Sequence, residues 1–292
     1  MFQLEMGLTL MVLDMKEKHS DSYYDDLYDD SYFRSQLRKF LFRRGNHWAN
    51  RIEKVFGTIS SLDLLGNKVL DLGTSTGTYA FEFASRGYET AGIDLSERAI
   101  SIARHVAETY KKDITYVVGD VSERTNFKSS EFDIIYAGDI MEHLLDDVLS
   151  KTMGNCWFWL KPGGFFVFHT VPTRYDVIFH KSRLWMLLVP FSVFPDRYFK
   201  KAVEKLFALL NVALKVLTGK SYVERERQTV HCNLQTKEMI SETLKKSGFE
   251  ILDIELTITE DKFLKGIKKN IFRNKEYFQK DMFGIAWKPY YG

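Results

Sequence analysis

Apolar and polar positions follow one another in blocks along the chain, and the period of the blocks changes. Residues 33–60 carry apolar side chains at helical spacing, namely Phe33, Leu37, Phe40, Leu41, Trp48, Ile52, Val55 and Phe56. Gly45 and Asn46 divide that stretch into two expected helices. From residue 68 onward, short apolar runs bounded by turn residues alternate with amphipathic stretches. The runs 68–72, 90–93, 114–118, 132–136 and 165–171 predict strands. The stretches 78–86, 97–110 and 148–160 predict helices, with Ser96 placed to cap the second of them. Strict alternation of strand and helix at these lengths predicts a parallel sheet covered on both faces, an α/β doubly wound architecture.

The alternation stops at residue 173. Residues 173–230 give no strand signal and read as a helical insertion after the fifth strand. Order resumes with a helix over 236–246, ended by Gly248, and two late strands over 250–257 and 282–287. The expectation is one domain with a mostly parallel, seven-stranded sheet. Its parts are an N-terminal arm with helices (1–60), a core (61–172), the apolar insertion (173–230) and a C-terminal helix and strands that complete the same domain (231–292).

Composition narrows the class. The chain has 292 residues, of which 45% are hydrophobic, enough for a large single core. Its two cysteines, Cys156 and Cys232, form no CxxC pair. That argues against disulfides and thiolate zinc sites and fits a reducing, cytoplasmic setting. A formal net charge of +2 does not suit a nucleic-acid binder, which needs a basic excess to neutralise phosphates. The apolar run 6–13 is bracketed by Glu5 and Asp14 and lacks a basic leader, so no signal peptide is expected. The run 184–194 is too short to span a bilayer and is broken by Pro190 and Pro195.

Chemistry concentrates at the strand ends. Residues 69–78, Val-Leu-Asp-Leu-Gly-Thr-Ser-Thr-Gly-Thr, run from a buried strand through a glycine turn into a helix. Glycines allow close backbone approach to a ligand, and a helix N-terminus offers free N–H groups. Asp94 ends the second strand, where an acid can accept hydrogen bonds from both hydroxyls of a ribose. Its plainer role would be a charge favoured by the following helix dipole. Gly119-Asp120-Val121 follows the third strand, with an acid that could receive an adenine amino group or simply build a turn.

Several motifs now stand in a fixed order: residues 69–77, Gly92-Ile93-Asp94-Leu95-Ser96, Gly119-Asp120-Val121, Phe132-Asp133-Ile134-Ile135, Met141-Glu142-His143 and Leu160-Lys161-Pro162-Gly163-Gly164. Over about 65–172 this set resembles the class I S-adenosylmethionine-dependent methyltransferase family, nearest in layout to ubiquinone-biosynthesis O-methyltransferase-like enzymes that act on small molecules. The resemblance implies a Rossmann-like methyltransferase fold whose last strand is antiparallel. It also implies S-adenosylmethionine as cofactor, with S-adenosylhomocysteine as product. By the same resemblance Gly73 and Gly77 surround the methionine part, Asp94 holds the ribose, Asp120 and Val121 hold the adenine, and Asp71 supports the loop. Thr74, Ser75, Leu95 and Gly138 complete the implied cofactor set. Ser75 stands where a middle glycine is common, and it fits that place if its φ stays negative. The spacing also departs from Gly-x-Gly-x-x-Gly, the pattern of nicotinamide enzymes.

Asp139-Ile140-Met141-Glu142-His143 follows the fourth strand. Its acid-x-x-Glu-His spacing resembles that of ubiquinone-biosynthesis O-methyltransferases and of small-RNA 2′-O-methyltransferases, in which it can bind a divalent metal. Asp139, Glu142 and His143 are therefore candidate metal ligands, with a structural or metal-free active-site role as the alternative. His143 and His231 are candidate general bases, since imidazole titrates near neutral pH, and Glu142 is a further catalytic candidate. Asn233 or Thr236 is a candidate helix cap, and His169 could face the same pocket. Tyr23, Tyr24, Tyr28 and Tyr32 could close over the cofactor as part of an N-terminal lid, or belong to an acidic arm.

The insertion is the substrate clue. Phe199, Val203, Leu206, Leu210, Leu214 and Leu217 share one helical face, and lysines occupy much of the rest. Either packing on the core or against another subunit, or contact with a membrane surface through 184–217, accounts for that pattern. Both give the pocket an apolar roof, so a small hydrophobic acceptor and O-methylation are expected, in an enzyme that is cytoplasmic or peripheral to the membrane. Two other readings are a non-catalytic binding protein on a degenerate methyltransferase fold, and an RNA 2′-O-methyltransferase.

Overall fold

A computed structural model describes residues 46–171, 173, 185–220, 233–257 and 281–290. The first expected helix, the four N-terminal tyrosines, His231 and Cys232 lie outside the described residues. The elements in chain order are α1 (Asn46–Ser60), β1 (Lys68–Leu72), α2 (Thr78–Ser85), β2 (Glu89–Asp94), α3 (Glu97–Thr109), β3 (Ile114–Val118), β4 (Phe132–Gly138), α4 (Asp146–Trp159), β5 (Leu160–Thr170), α5 (Asp196–Thr218), α6 (Lys237–Lys246), β6 (Glu250–Thr257) and β7 (Asp281–Trp287).

Seven strands form one sheet in the order β3-β2-β1-β4-β5-β7-β6. β1 pairs in parallel with β2 and with β4, and β2 pairs in parallel with β3. β7 runs against β5. Gly163 N donates to Lys288 O and Lys288 N to Gly164 O, so the end of β7 meets the start of β5. Farther along, a Cβ on Gly284 would strike the Phe168 ring, which places the middle of β7 beside the end of β5. A short connection cannot join parallel neighbours, and each parallel step here is bridged by a helix. The order reverses between β1 and β4, the place where open α/β sheets hold ligands at strand carboxyl ends.

The chain divides into two compact units. Residues 1–138, 154–167 and 287–292 make the first, and residues 139–153 and 168–286 the second. In the first, Val69, Leu70, Ile93, Ile134, Ile135 and Ala137 are fully buried, as strands covered on both faces require. Ile100, Ala103 and Ala107 on α3 recur at helical spacing and pack with Ala80 and Tyr116. The Ser96 hydroxyl caps α3 by accepting from Ala99 N.

In the second unit, α5 buries Phe199, Val203 and Phe207. Leu206, Leu210 and Leu214 are half-buried, and Leu217 at the far end of the same face is 80% exposed. A second apolar stripe, Leu209, Val212 and Val216, is 63–79% exposed. Val193, ahead of the helix, is 82% exposed, and Met186, Leu187 and Phe194 are exposed with it. Among the described residues, no helix is long and apolar enough to cross a membrane.

Candidate functional site

The loop between β1 and α2 is built by two acids. Asp71 is buried at the end of β1, and its Oδ2 accepts from Thr74 Oγ1 at 2.6 Å and from Ala80 N at 2.9 Å. It thereby joins the loop to the first turn of α2. Burial pushes its pKa up to about 7, the two hydrogen bonds pull it down, and the Asp94 carboxylate pushes it up. Asp94 closes the loop from β2. Its Oδ2 accepts from Ser75 N at 2.8 Å and its Oδ1 from Ser96 N at 3.0 Å. Burial raises its pKa against those backbone donors. Ile93 O accepts from both Gly73 N and Thr74 N at 2.9 Å.

Gly73, Ser75 and Gly77 all have positive φ, at 70°, 48° and 79°. Ser75 therefore departs from the negative φ expected of it. The cause is a tertiary contact, because its N–H turns toward Asp94, 19 positions away, while the loop reverses between Gly73 and Gly77. A short polar residue tolerates the left-handed region better than a branched one. Gly77 has a second constraint, since a Cβ there would run into the Tyr116 hydroxyl and lie 3.0 Å from Ala103 Cβ. Gly92 lies against Thr74, whose Oγ1 would be 2.9 Å from an added Cβ. The N-cap of α2 is Gly77, which has no side chain to cap the helix, and within the first turn the Ala80 N–H is already bound by Asp71.

The remaining members of the expected cofactor set lie at neighbouring strand ends of the same unit. Leu95 is 47% exposed beside Asp94. Gly119 N donates to Asp94 O at 3.0 Å and so fastens the end of β3 to the end of β2. Asp120 is exposed, and its Oδ1 accepts from Ser122 N at 2.8 Å. Val121 is buried, and its carbonyl accepts from Asn155 Nδ2. Gly138 ends β4, and the Tyr136 ring folds back over it at distances that leave no room for a Cβ.

These residues fit a nucleotide-like group. The backbone N–H groups of Ser75, Leu95 and Ser96 use only part of the Asp94 carboxylate, which has about four lone-pair sites and so keeps room for a further donor such as a hydroxyl.

In the second unit, the turn after β4 holds Asp139, Glu142 and His143. Asp139 has φ of 55°, and its Oδ1 lies 2.6 Å from His169 Nδ1, while its N–H donates to His169 O at 2.9 Å. Glu142 is buried. Its Oε2 accepts from Thr170 Oγ1 at 2.8 Å and its Oε1 makes no hydrogen bond. Burial, and then the Asp139 charge, hold its carboxyl well above the usual carboxylate range. His143 Nε2 is 4.0 Å from Glu142 Oε1. Asp139 thus pairs with His169 and Glu142 with Thr170, and among the described residues no group of three or more His, Cys, Asp or Glu is arranged to hold a metal ion. His231 is outside the described residues. Thr236, not Asn233, caps α6, accepting from Met239 N at 3.3 Å.

The sequence did not announce the Asp139–His169 pair, the Thr170–Glu142 bond or the role of Tyr116 behind Gly77. The first two join side chains about thirty positions apart, and only the register of β4 with β5 brings them together. The third depends on which face of β3 points inward.

Residues 69–164 match the family model described as a methyltransferase domain. That match covers a third of the chain and makes those residues similar to a methyltransferase domain, on a fold that solved methyltransferases share. The chain's relatives include the ubiquinone biosynthesis O-methyltransferase of Acinetobacter baylyi, 28% identical over 165 residues that cover 54% of this chain and 68% of that protein. The protein of the same name from Coxiella burnetii is 33% identical over 110 residues, 38% of this chain and 46% of its own length, less than half of that relative. An S-adenosylmethionine-dependent methyltransferase from Clostridium acetobutylicum has the same fold, with a TM-score of 0.56 at 15% identity over 89% of this chain and all of that one.

Proposed function

We propose that the chain transfers the methyl group of S-adenosylmethionine to an oxygen atom of a small, hydrophobic acceptor, and that it meets this acceptor at a lipid surface. The observation that carries the cofactor part is the loop after β1, tied to Asp71 on one side and to Asp94 on the other. In this reading Gly73, Thr74, Ser75 and Gly77 surround the methionine part and its carboxylate faces the start of α2, where Gly77 brings no capping side chain. Asp94 accepts from the ribose hydroxyls, and Leu95, Asp120, Val121 and Gly138 line the adenine and thioether sides. When bound, S-adenosylmethionine supplies an electrophilic methyl group on a sulfonium. The protein orients the acceptor in line with it, excludes water and takes up the acceptor's proton. His143 and His231 are the groups for that last task.

Oxygen as acceptor atom, and a quinone-related ring as acceptor class, are supported by the relatives' names, which specify O-methylation in ubiquinone biosynthesis. Lipid contact is supported by α5. Its stripe Leu209, Val212 and Val216 is exposed, and so are Val193 and Leu187 ahead of the helix. Residues 196–220 carry six basic side chains against two acids. An anionic bilayer complements both features. A second copy of the chain matches the apolar area but would set two basic rims against each other.

The test is a methyl-transfer assay that offers catechols and quinols in micelles, water-soluble polar acceptors, and short RNA. Methylated oxygen on the apolar rings supports the proposal. Turnover confined to polar acceptors or RNA, or turnover of none, contradicts it.

A further inference from the structure

Three separate stretches of the second unit meet on buried hydrogen bonds: the turn after β4, the end of β5, and residues 233–236 that lead into α6. Asn233 is the joint. Its N–H donates to Glu142 O at 2.9 Å, and its Nδ2 donates to Leu144 O at 2.7 Å. Its Oδ1 accepts from Gln235 Nε2. Asn233, Gln235 and Glu142 are 6%, 2% and 1% exposed, so water does not substitute for these bonds. Thr170 Oγ1 binds the same turn from β5 through Glu142 Oε2.

The turn needs such support. It is a single short 3-10 segment, Met141–His143, whose internal bonds are His143 N to Ile140 O at 2.9 Å and a longer one, Leu144 N to Met141 O at 3.3 Å. Carbonyls of such a segment have no regular partner, and a buried carbonyl left without one is costly. Asn233 is free to supply those donors because Thr236 takes over the cap of α6.

We infer that Asn233, with its amide oriented by Gln235, is a positioning residue for methyl transfer. It locks the turn that carries His143, one of the candidate bases, onto the segment that leads into α6. This rests on the proposed function only in what the locked piece is for; the lock itself is independent of it.

The test compares Asn233→Ala and Asn233→Asp with Thr236→Ala, which weakens α6 without touching the turn. The Asp variant keeps the acceptor for Gln235 and removes the donor to Leu144. Amide hydrogen exchange of residues 139–146 is read by mass spectrometry beside kcat, acceptor KM and the Kd of S-adenosylhomocysteine. Both Asn233 variants should speed exchange in the turn about tenfold or more. They should lower kcat about tenfold, with acceptor KM and cofactor Kd held within about twofold. Thr236→Ala should do neither. Unchanged exchange in both Asn233 variants, or the same losses in Thr236→Ala, overturns the inference. A wild type that turns over no acceptor, with the exchange effect intact, counts against the proposed function and leaves the lock standing.

Discussion

Asp71 sits under the loop with one oxygen shared between a hydroxyl and a backbone N–H, and burial lifts its pKa to about 7 from an ordinary 3.8. The folded protein therefore holds a proton there that the unfolded chain has already released between those two values. Over that window the unfolded state binds fewer protons, so this group's contribution to stability falls as pH rises and levels off above about 7. Asp71→Asn should remove that part of the slope. Urea midpoints of wild type and variant, compared at about pH 5 and about pH 8, check it, and an equal slope in the variant would contradict it. The Glu142 carboxyl is also raised, so some slope of the same sign remains. At this scale the glycine turn of Gly73 and Gly77 and the strand-end place of Asp94 were legible from residue type and position, whereas the support that Asp71 gives the loop was implied by the family resemblance. The backbone of Ser75 was misjudged, since φ at that residue is set by Asp94, 19 positions away.

Elements were legible where period and punctuation agreed. β1, β3 and β6 have the expected bounds, and α3 starts at its expected cap. β5 begins at Leu160 rather than after the Pro-Gly-Gly turn. The reason is tertiary, because Lys288 bonds to Gly163 and Gly164 and draws that turn into the sheet. For α5 the apolar face over 199–217 was readable, but its fading burial was not, since periodicity does not tell how far a partner surface extends. The exposed stripe Leu209, Val212 and Val216 carries the element-scale prediction. Leu209→Glu combined with Val216→Glu should cut co-sedimentation with anionic phosphatidylglycerol vesicles about tenfold or more, and high salt should weaken the wild type. Equal sedimentation, or a wild-type dimer that the double variant converts to monomer, would move the surface from lipid to a second copy.

On the scale of the whole molecule, the alternating pattern was enough to give a seven-stranded, doubly wound sheet, and the order β3-β2-β1-β4-β5-β7-β6 sets the reversal between β1 and β4, where the glycine loop lies. Strand order follows from right-handed crossovers and short connections, so it is accessible from element order. How β4 and β5 are registered is not, and neither was the set of hydrogen bonds around Asn233. The central claim is that the loop, held by Asp71 and Asp94, is a site for S-adenosylmethionine. Calorimetric titration of S-adenosylhomocysteine into wild type and Asp94→Ala tests it most directly, with a thermal melt to establish that the variant is folded. Binding by the wild type that weakens about tenfold or more in the variant is the predicted result, the size expected from even one lost hydrogen bond to a charged acceptor. No binding by the wild type, or equal binding by a folded variant, would contradict it.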